Sequence, residues 1–539
     1  MQNSWINSVV FYHIYPRSFK DSNSDGIGDL NGIIEKLDYL KDLGVGGIWL
    51  SPVYKSPMVD FGYDISDYYV IDSIFGNLED FKLLIGKAHQ KNIKIIMDFV
   101  PNHTSDKHPL FLKSSASKDS PWRDYYIWHE PKKNGHPPNN WLSVFGGSAW
   151  EWDKQTGEYY LHSFLKEQPD LNWRNPVVRK LMFQVLKFWL DLGVDGFRVD
   201  AIHHLYKDKL LRNNPKNPSF KPGKDDPFDE FTPLYIKWQP EMFEETANLC
   251  HFINKYKDKF VVTEVYGEIY QLMKFYQACS KKLPKKKQGC IAFCPFNLQL
   301  ISLPWKASAY KTFIDEYDAT LCNGELPNYV LGNHDRSRIA TRIGTLQARV
   351  AAIMLLTLRG VPFIYYGDEI GMKDVTIPKK MVFDPFEKNI PGKGLGRDPE
   401  RTPMQWDNKP HAGFSKVTPW LPVSGDFKKF NVSSELKDKK SILSLYKKLI
   451  HLRNNSEVLQ EGKYYSLPVS TDIFAYIRAG ETGKLLVVLN FSAKKQTINF
   501  KNFAKGKMLI NSYLDTKHEK IVDLNKLILQ GNEGYVFAV

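Results

Sequence analysis

Asp200, Glu264 and Asp335 each stand just beyond a short apolar, β-rich run, in GFRVDA, VTEVY and GNHD. Two carboxylates facing a scissile glycosidic bond from opposite sides are the minimum for glycoside hydrolysis, one as nucleophile or base and the other as acid. Asp200 lies two residues after Arg198 and shares its side of an extended chain, because side chains alternate with period two. The guanidinium is expected to hold the Asp200 carboxyl down and keep it ionised and nucleophilic. Glu264, amid Val262, Val265 and Tyr266, has the apolar setting that raises a carboxyl pKa and keeps a proton for the leaving oxygen. Asp98, Asn102 and His103 follow another such run in DFVPNH, and His334 precedes Asp335. A single aspartate at such a place serves equally as a helix cap or a structural ion pair, as Asp67 and Asp195 are read.

These residues need elements that bring them to one mouth. Apolar runs at 9–15, 47–50, 93–99, 194–199, 260–265, 289–293, 329–331 and 362–366 alternate with amphipathic stretches near 32–43, 78–89 and 442–454. Short apolar strands alternating with helices point to a buried parallel sheet, and eight such units make a (β/α)8 barrel. In that barrel the residues just after each strand share one face, where active sites lie. The stretch between the third and fourth strands is far longer than a usual βα loop. The sequence therefore predicts a barrel begun over 1–103, an inserted subdomain over 104–173, the rest of the barrel over 174–460, and a C-terminal antiparallel β-sandwich over 461–539.

Composition excludes several classes. With 42% apolar and 25% charged residues the 539-residue chain is not disordered. Its longest apolar stretch, 350–358, is about half the ~20 residues a spanning helix needs, so no membrane role is expected. The N-terminus lacks a basic segment followed by an apolar one, which predicts a cytoplasmic protein. Five cysteines at irregular spacing suggest neither a disulfide framework nor a zinc site. The net charge of +13 and the lysines at 281, 282, 285, 286 and 287 invite a nucleic-acid reading. The excess is spread along the chain and no nucleic-acid motif accompanies it, so no nucleic-acid partner is expected.

DFVPNH, QPDLNW, GFRVDA, TEVY, NHD and GVPFIYYGDE occur in that order. Together they resemble glycoside hydrolase family 13, the α-amylase superfamily, and within it the α-glucosidase and oligo-1,6-glucosidase group. The resemblance covers nearly the whole chain. It implies a glycosidase of the EC 3.2.1 class with Asp200 as nucleophile, Glu264 as general acid/base and Asp335 as the third acid, working with retention through a glucosyl-enzyme. It further implies that His103 and His334 bind the hydroxyls of the non-reducing-end glucose and that Arg198 partners the nucleophile. Tyr63 would stack on that sugar, Asp60 would pair with Arg401 to close the pocket beyond it, and Phe145 and Phe164 would line the pocket and its exit.

In DSNSDGIGD, Asp21, Asn23, Asp25 and Asp29 offer side-chain oxygens and Ile27 a carbonyl, as in the first nine positions of a calcium loop. Position twelve is Gly32 rather than a glutamate, so this is no EF-hand. The resemblance implies one structural Ca²⁺ or Mg²⁺ here and no organic cofactor. Substrates would be short oligosaccharides or disaccharides, with the protein a monomer or small homo-oligomer. Ala201, after the nucleophile, leans the reading to α-1,4 bonds or sucrose. An oligo-1,6-glucosidase, a transglucosidase or a sucrose isomerase remains open, and a non-catalytic protein similar to transporter heavy chains is disfavoured by the acid set. The extended stretch at 206–241 is expected near the entrance, with His203 and His204 beside it and without an assigned role.

Overall fold

Eight short strands form the centre of the molecule, a computed structural model that describes residues 5–281, 293–321, 325–468, 470–515 and 520–539. They are β1 (Phe11–Ile14), β2 (Gly47–Leu50), β3 (Lys94–Phe99), β4 (Gly196–Val199), β5 (Phe260–Val265), β6 (Phe293–Asn297), β7 (Asn328–Val330) and β8 (Val361–Tyr365). Every described ladder among them is parallel, neighbours follow chain order, and β1 pairs with β8. At the remaining seam the Asn297 N–H donates to Asn328 Oδ1 at 3.2 Å. The sheet is a (β/α)8 barrel.

The strands are nearly continuous runs of buried residues because helices cover the outside and side chains fill the inside. Of the expected sixth strand at 289–293 only Phe293 lies among the described residues, and the strand runs on to Asn297. FCPFN conceals its strand character because Pro295 and Asn297 are poor strand formers. Cys290, Cys322 and the lysines at 282, 285, 286 and 287 also lie outside the described residues. The helix expected at 32–43 is two, Leu30–Glu35 and Leu37–Leu43, meeting at Lys36. Asp195 sits before β4, at the far end of the barrel from Asp200, where His89 at 2.6 Å and Lys94 at 3.1 Å hold it. Asp67 turns its carboxylate onto the Tyr69 N–H.

A three-stranded antiparallel sheet of Trp128–His129, Glu158–Leu161 and Trp150–Asp153 occupies the long insertion between β3 and β4. The extended stretch after β4 leans on it: Asn139 Nδ2 donates to the Leu211 carbonyl at 3.1 Å and Trp141 Nε1 to that of Arg212 at 2.8 Å.

After helix Ile442–Asn454 come a six-stranded antiparallel sheet and a two-stranded ladder of Gln496–Ile498 with Leu527–Leu529. Period two explains LLVVL: Leu486 and Val488 face the core of this second unit, while Leu485, Val487 and Leu489 join the barrel's core. Helix Thr345–Thr357 is buried on nearly all sides between the two, which accounts for the apolar stretch at 350–358. No helix among the described residues is long and apolar enough to cross a membrane.

The cysteine reading needs correcting. Cys250 and Cys279 form a disulfide, with Cα atoms 5.6 Å apart. They sit on the buried faces of helices Glu241–Ile253 and Ile269–Lys281, which flank β5 and pack together. An odd count at irregular spacing gives no hint of one staple between two packed helices. Cys294 is a buried free thiol.

Candidate active site

The barrel brings Asp98 of β3, Arg198 of β4, Asp200 just after it and Glu264 of β5 to the same end of adjacent strands. Arg198, 1% exposed, is the hub. Its Nη1 pairs with Asp98 Oδ1 at 2.5 Å and Asp200 Oδ1 at 2.7 Å, and its Nη2 pairs with Glu264 Oε1 at 2.8 Å. Glu264 Oε2 also accepts from the Ala201 N–H at 3.1 Å. The two acids most suited to chemistry are therefore fixed by one planar guanidinium, whose fork leaves little freedom in their spacing.

The expectation that Arg198 holds Asp200 low is overturned. Burial, helped by Glu264, Asp98 and Asp335, pushes the Asp200 carboxyl well above its usual range against the pull of Arg198. Burial likewise pushes Asp98 up to about 6. One cation faces three carboxyls here, and the low dielectric favours a set that retains a proton. The chemistry needs the proton on the acid and the charge on the nucleophile.

Asp335 differs. Burial would raise it, but His334, Arg397 and Arg401 hold it well below the carboxylate range. Arg401 Nη2 pairs with Asp335 Oδ1 at 2.9 Å, and Arg397 Nη1 stands 3.4 Å from the same oxygen. A carboxylate with two guanidiniums stays ionised throughout the physiological range.

Around these acids the pocket wall is polar and buried. The Tyr63 hydroxyl lies 2.7 Å from His334 Nε2, donates to Asp98 Oδ2 at 3.1 Å, and its ring stacks on that of His334. His103 Nε2 is 3.2 Å from both the Tyr63 carbonyl and Gln168 Nε2. Burial pushes His103 down to about 4 and His334 well below the imidazole range, so both rings are neutral at pH 7. Phe164 packs 5.2 Å from the His103 ring and 6.2 Å from Phe145.

One expected contact is wrong. Asp60 pairs with Arg397 at 2.7 Å, not with Arg401, whose Nε donates to the His334 carbonyl. Both arginines come from one loop, GRDPER, four residues apart. Asp384 also pairs with Arg397 and aims it at Asp60. Gln168, Trp49 and Arg397 are site residues that sequence reasoning missed, although Gln168 lies inside the QPDLNW motif. Gln168 Nε2 donates to Asp60 Oδ2 at 3.1 Å, and Trp49 Nε1 to Asp98 Oδ2 at 3.0 Å.

The 21–29 loop packs on the 414–420 segment, the Asp21 N–H donating to the Phe414 carbonyl at 3.1 Å and the Trp420 N–H to that of Gly26 at 3.0 Å. Asp21 accepts from the N–H groups of Ser24 and Gly26, Asp25 from that of Ile27, and Asp29 from those of Ser22 and Gly32. Among the described residues no three histidine, cysteine or acidic side chains gather as a metal-binding group.

With this geometry in view, comparison with known proteins is decisive. The family described as alpha amylase, catalytic domain, matches residues 13–462. The chain belongs to the α-amylase family of glycoside hydrolases. A second family, the alpha-amylase SusG C-terminal domain, matches 473–536 of this hydrolase. An α-glucosidase of Culex pipiens is 40% identical over 97% of this chain and 89% of its own. An oligo-1,6-glucosidase of Parageobacillus thermoglucosidasius is 39% identical over the whole of both chains. Among solved structures, an α-glucosyl transfer enzyme superposes with a TM-score of 0.92 at 33% identity over all of both chains. The trehalulose synthase of Pseudomonas mesoacidophila MX-45 superposes with a TM-score of 0.88 at 33% identity over 99% of each.

Proposed function

We propose that this glycoside hydrolase is a retaining, exo-acting α-glucosidase that removes glucose from the non-reducing end of short α-glucosides. The observation that carries the reading is the shared guanidinium of Arg198, which holds Asp200 and Glu264 together. Closely spaced carboxyls favour direct attack by one of them over activation of an intervening water. Asp200 Oδ attacks the anomeric carbon as Glu264 delivers its proton to the leaving oxygen, giving a β-glucosyl-enzyme. Glu264, now a base, takes a proton from water, which releases Asp200 and yields α-glucose. Asp335 stabilises the charge that develops on the ring, His103 and His334 hold its hydroxyls, and Tyr63 stacks on it. The Asp60–Arg397 pair is the barrier beyond that sugar, which supports exo-action.

Ala201 supports α-1,4 or sucrose-type substrates. Glucose release from maltose, maltotriose, isomaltose, sucrose and trehalose, with products resolved by chromatography, tests the reading. Cleavage of maltose or sucrose with slow isomaltose is expected; fast isomaltose would overturn the linkage preference and leave the mechanism. The likeness to a trehalulose synthase supports a second reading, transfer of the glucosyl group in place of hydrolysis, and new disaccharides in the same chromatogram would establish it.

We also assign one structural Ca²⁺ or Mg²⁺ to Asp21, Asn23, Asp25, Ile27 and Asp29. Their donor chemistry, three carboxylates, an amide oxygen and a backbone carbonyl at alternate positions, suits a hard cation, which would take the side-chain oxygens from the N–H groups they now accept from. Tm is expected to fall by a few degrees on chelation and recover on adding either ion; an unchanged Tm in excess EDTA overturns the assignment.

A further inference from the structure

Most cations at the mouth are committed. Arg198 holds Asp98, Asp200 and Glu264; Arg397 holds Asp60 and Asp384; Arg401 holds Asp335; Lys207 pairs with Asp170 at 2.6 Å. Two others form no ion pair among the described residues, and both stand on the Glu264 side, where the leaving group departs.

Lys237 belongs to the extended stretch after β4. Its neighbour Trp238 donates its N–H to the His203 carbonyl at 2.9 Å, and the Trp238 ring lies 5.3 Å from that of His203. The His203 ring also stands against the backbone of Glu264. His204 packs 5.2 Å from Phe164, at the pocket wall. The Lys237 ammonium is close enough to bear electrostatically on both histidines. Its Nζ lies 5.2 Å from the Phe228 ring, and Asp229 is the acid nearest in effect, outside ion-pair range. Burial pushes the Lys237 amine down to about 8.

Arg336 follows Asp335 and stands over the Tyr266 ring at 5.4 Å. Tyr266 lies two residues beyond Glu264, and a side chain at Gly267 would strike Trp238 at 2.7 Å, so these two loops touch. The loops that carry Lys237 and Trp238, Tyr266, and Arg336 thus meet at a rim beside the acid. The ring-Nδ1 atoms of His203 and His204, both nearly fully buried, have no hydrogen-bond partner.

We infer that this rim is an aglycone site for α-glucosides whose leaving group carries a negative charge, a phosphoryl or a carboxylate, held by Lys237 and Arg336. The inference rests on the glucosidase reading above and names its substrate class. The centre of the pocket is rich in carboxylates and repels anions, whereas the rim carries cations with no acid paired to them. An anion seated there supplies the counter-charge that Lys237 lacks.

The test compares kcat/KM of the full chain on maltose, maltose phosphorylated at C6 of its reducing-end glucose, and maltobionate. At least one charged substrate is expected to exceed maltose by about tenfold, the size of two partly exposed charge contacts. Preference for one identifies phosphoryl or carboxylate as the charge read. The advantage is expected to shrink in half-molar sodium chloride and, more selectively, in Lys237→Gln and Arg336→Gln. Where a variant folds poorly, the wild-type comparison and its salt dependence decide. Maltose cleaved as well as or better than both charged substrates overturns this inference alone. Cleavage of no α-glucoside at all overturns the glucosidase reading, and this inference with it.

Discussion

Replacing Asp200 with glycine is expected to lower hydrolysis of 4-nitrophenyl α-glucoside by about 10⁴-fold or more, and added azide is expected to restore turnover with β-glucosyl azide as product. Asp200 sits at the mouth on a backbone tied to β3, its N–H donating to the Phe99 carbonyl at 2.8 Å, so the truncation leaves a small void beside an intact Arg198. An anion entering that void attacks the anomeric carbon once and inverts it. The companion variant Glu264→Ala keeps the nucleophile, so azide there meets a glucosyl-enzyme already inverted and yields α-glucosyl azide. NMR of the two products checks the assignment: β-azide from the Glu264 variant and α-azide from the Asp200 variant would exchange the roles. Equal product from both would mean that neither carboxyl is the nucleophile.

The second large effect belongs to Arg198→Met. The side chain is replaced by one of similar length, but three buried carboxyls lose their only shared cation. Breaking a buried ionic cluster on one side costs about 3 to 5 kcal/mol, because the remaining charges stay desolvated. Urea unfolding at neutral pH measures this loss, and the variant is expected to recover part of it at lower pH, where the carboxyls take up protons. The sign follows from the shifts. Asp200 and Asp98 are already raised by burial, and Arg198 is the chief opposing pull on both. Without it they rise further, so ionisation of the nucleophile, and with it the acid limb of the kcat/KM profile, moves to higher pH. An unmoved limb would show that Arg198 is a packing residue and not an electrostatic partner.

The shared guanidinium also explains how one pocket keeps an acid and a base ready. Three carboxyls on one cation in a low dielectric cannot all ionise cheaply, so the cluster keeps a proton available for transfer. Asp335, with two arginines of its own, stays charged while the proton moves. The same principle separates rim from centre: paired charges inside tune protonation, and unpaired cations outside select what arrives.

Much of this was legible in the chain alone. Strand ends in a parallel barrel converge whatever the loops do, so DFVPNH, GFRVDA, TEVY and NHD located Asp98, His103, Arg198, Asp200, Glu264, His334 and Asp335 without coordinates. The 13-residue helix at 442–454 and the alternating C-terminal strands were equally plain, because burial imposes periods of 3.6 and 2 on the residues themselves. Other features depended on distance. Arg397 and Arg401 are chemically identical and four residues apart, and only the placement of Asp384 decides which one meets Asp60. The pairing of Cys250 with Cys279 follows from the packing of two helices around β5. The direction of the Asp200 shift required knowing that the carboxyl is buried and that Glu264 and Asp98 share its arginine, since periodicity showed only Arg198. The sequence by itself determined which residues reach the mouth, because strand order and side-chain alternation are local. Tertiary structure alone decided how their charges are shared, because Coulomb energy and desolvation depend on distances between strands that no local pattern encodes.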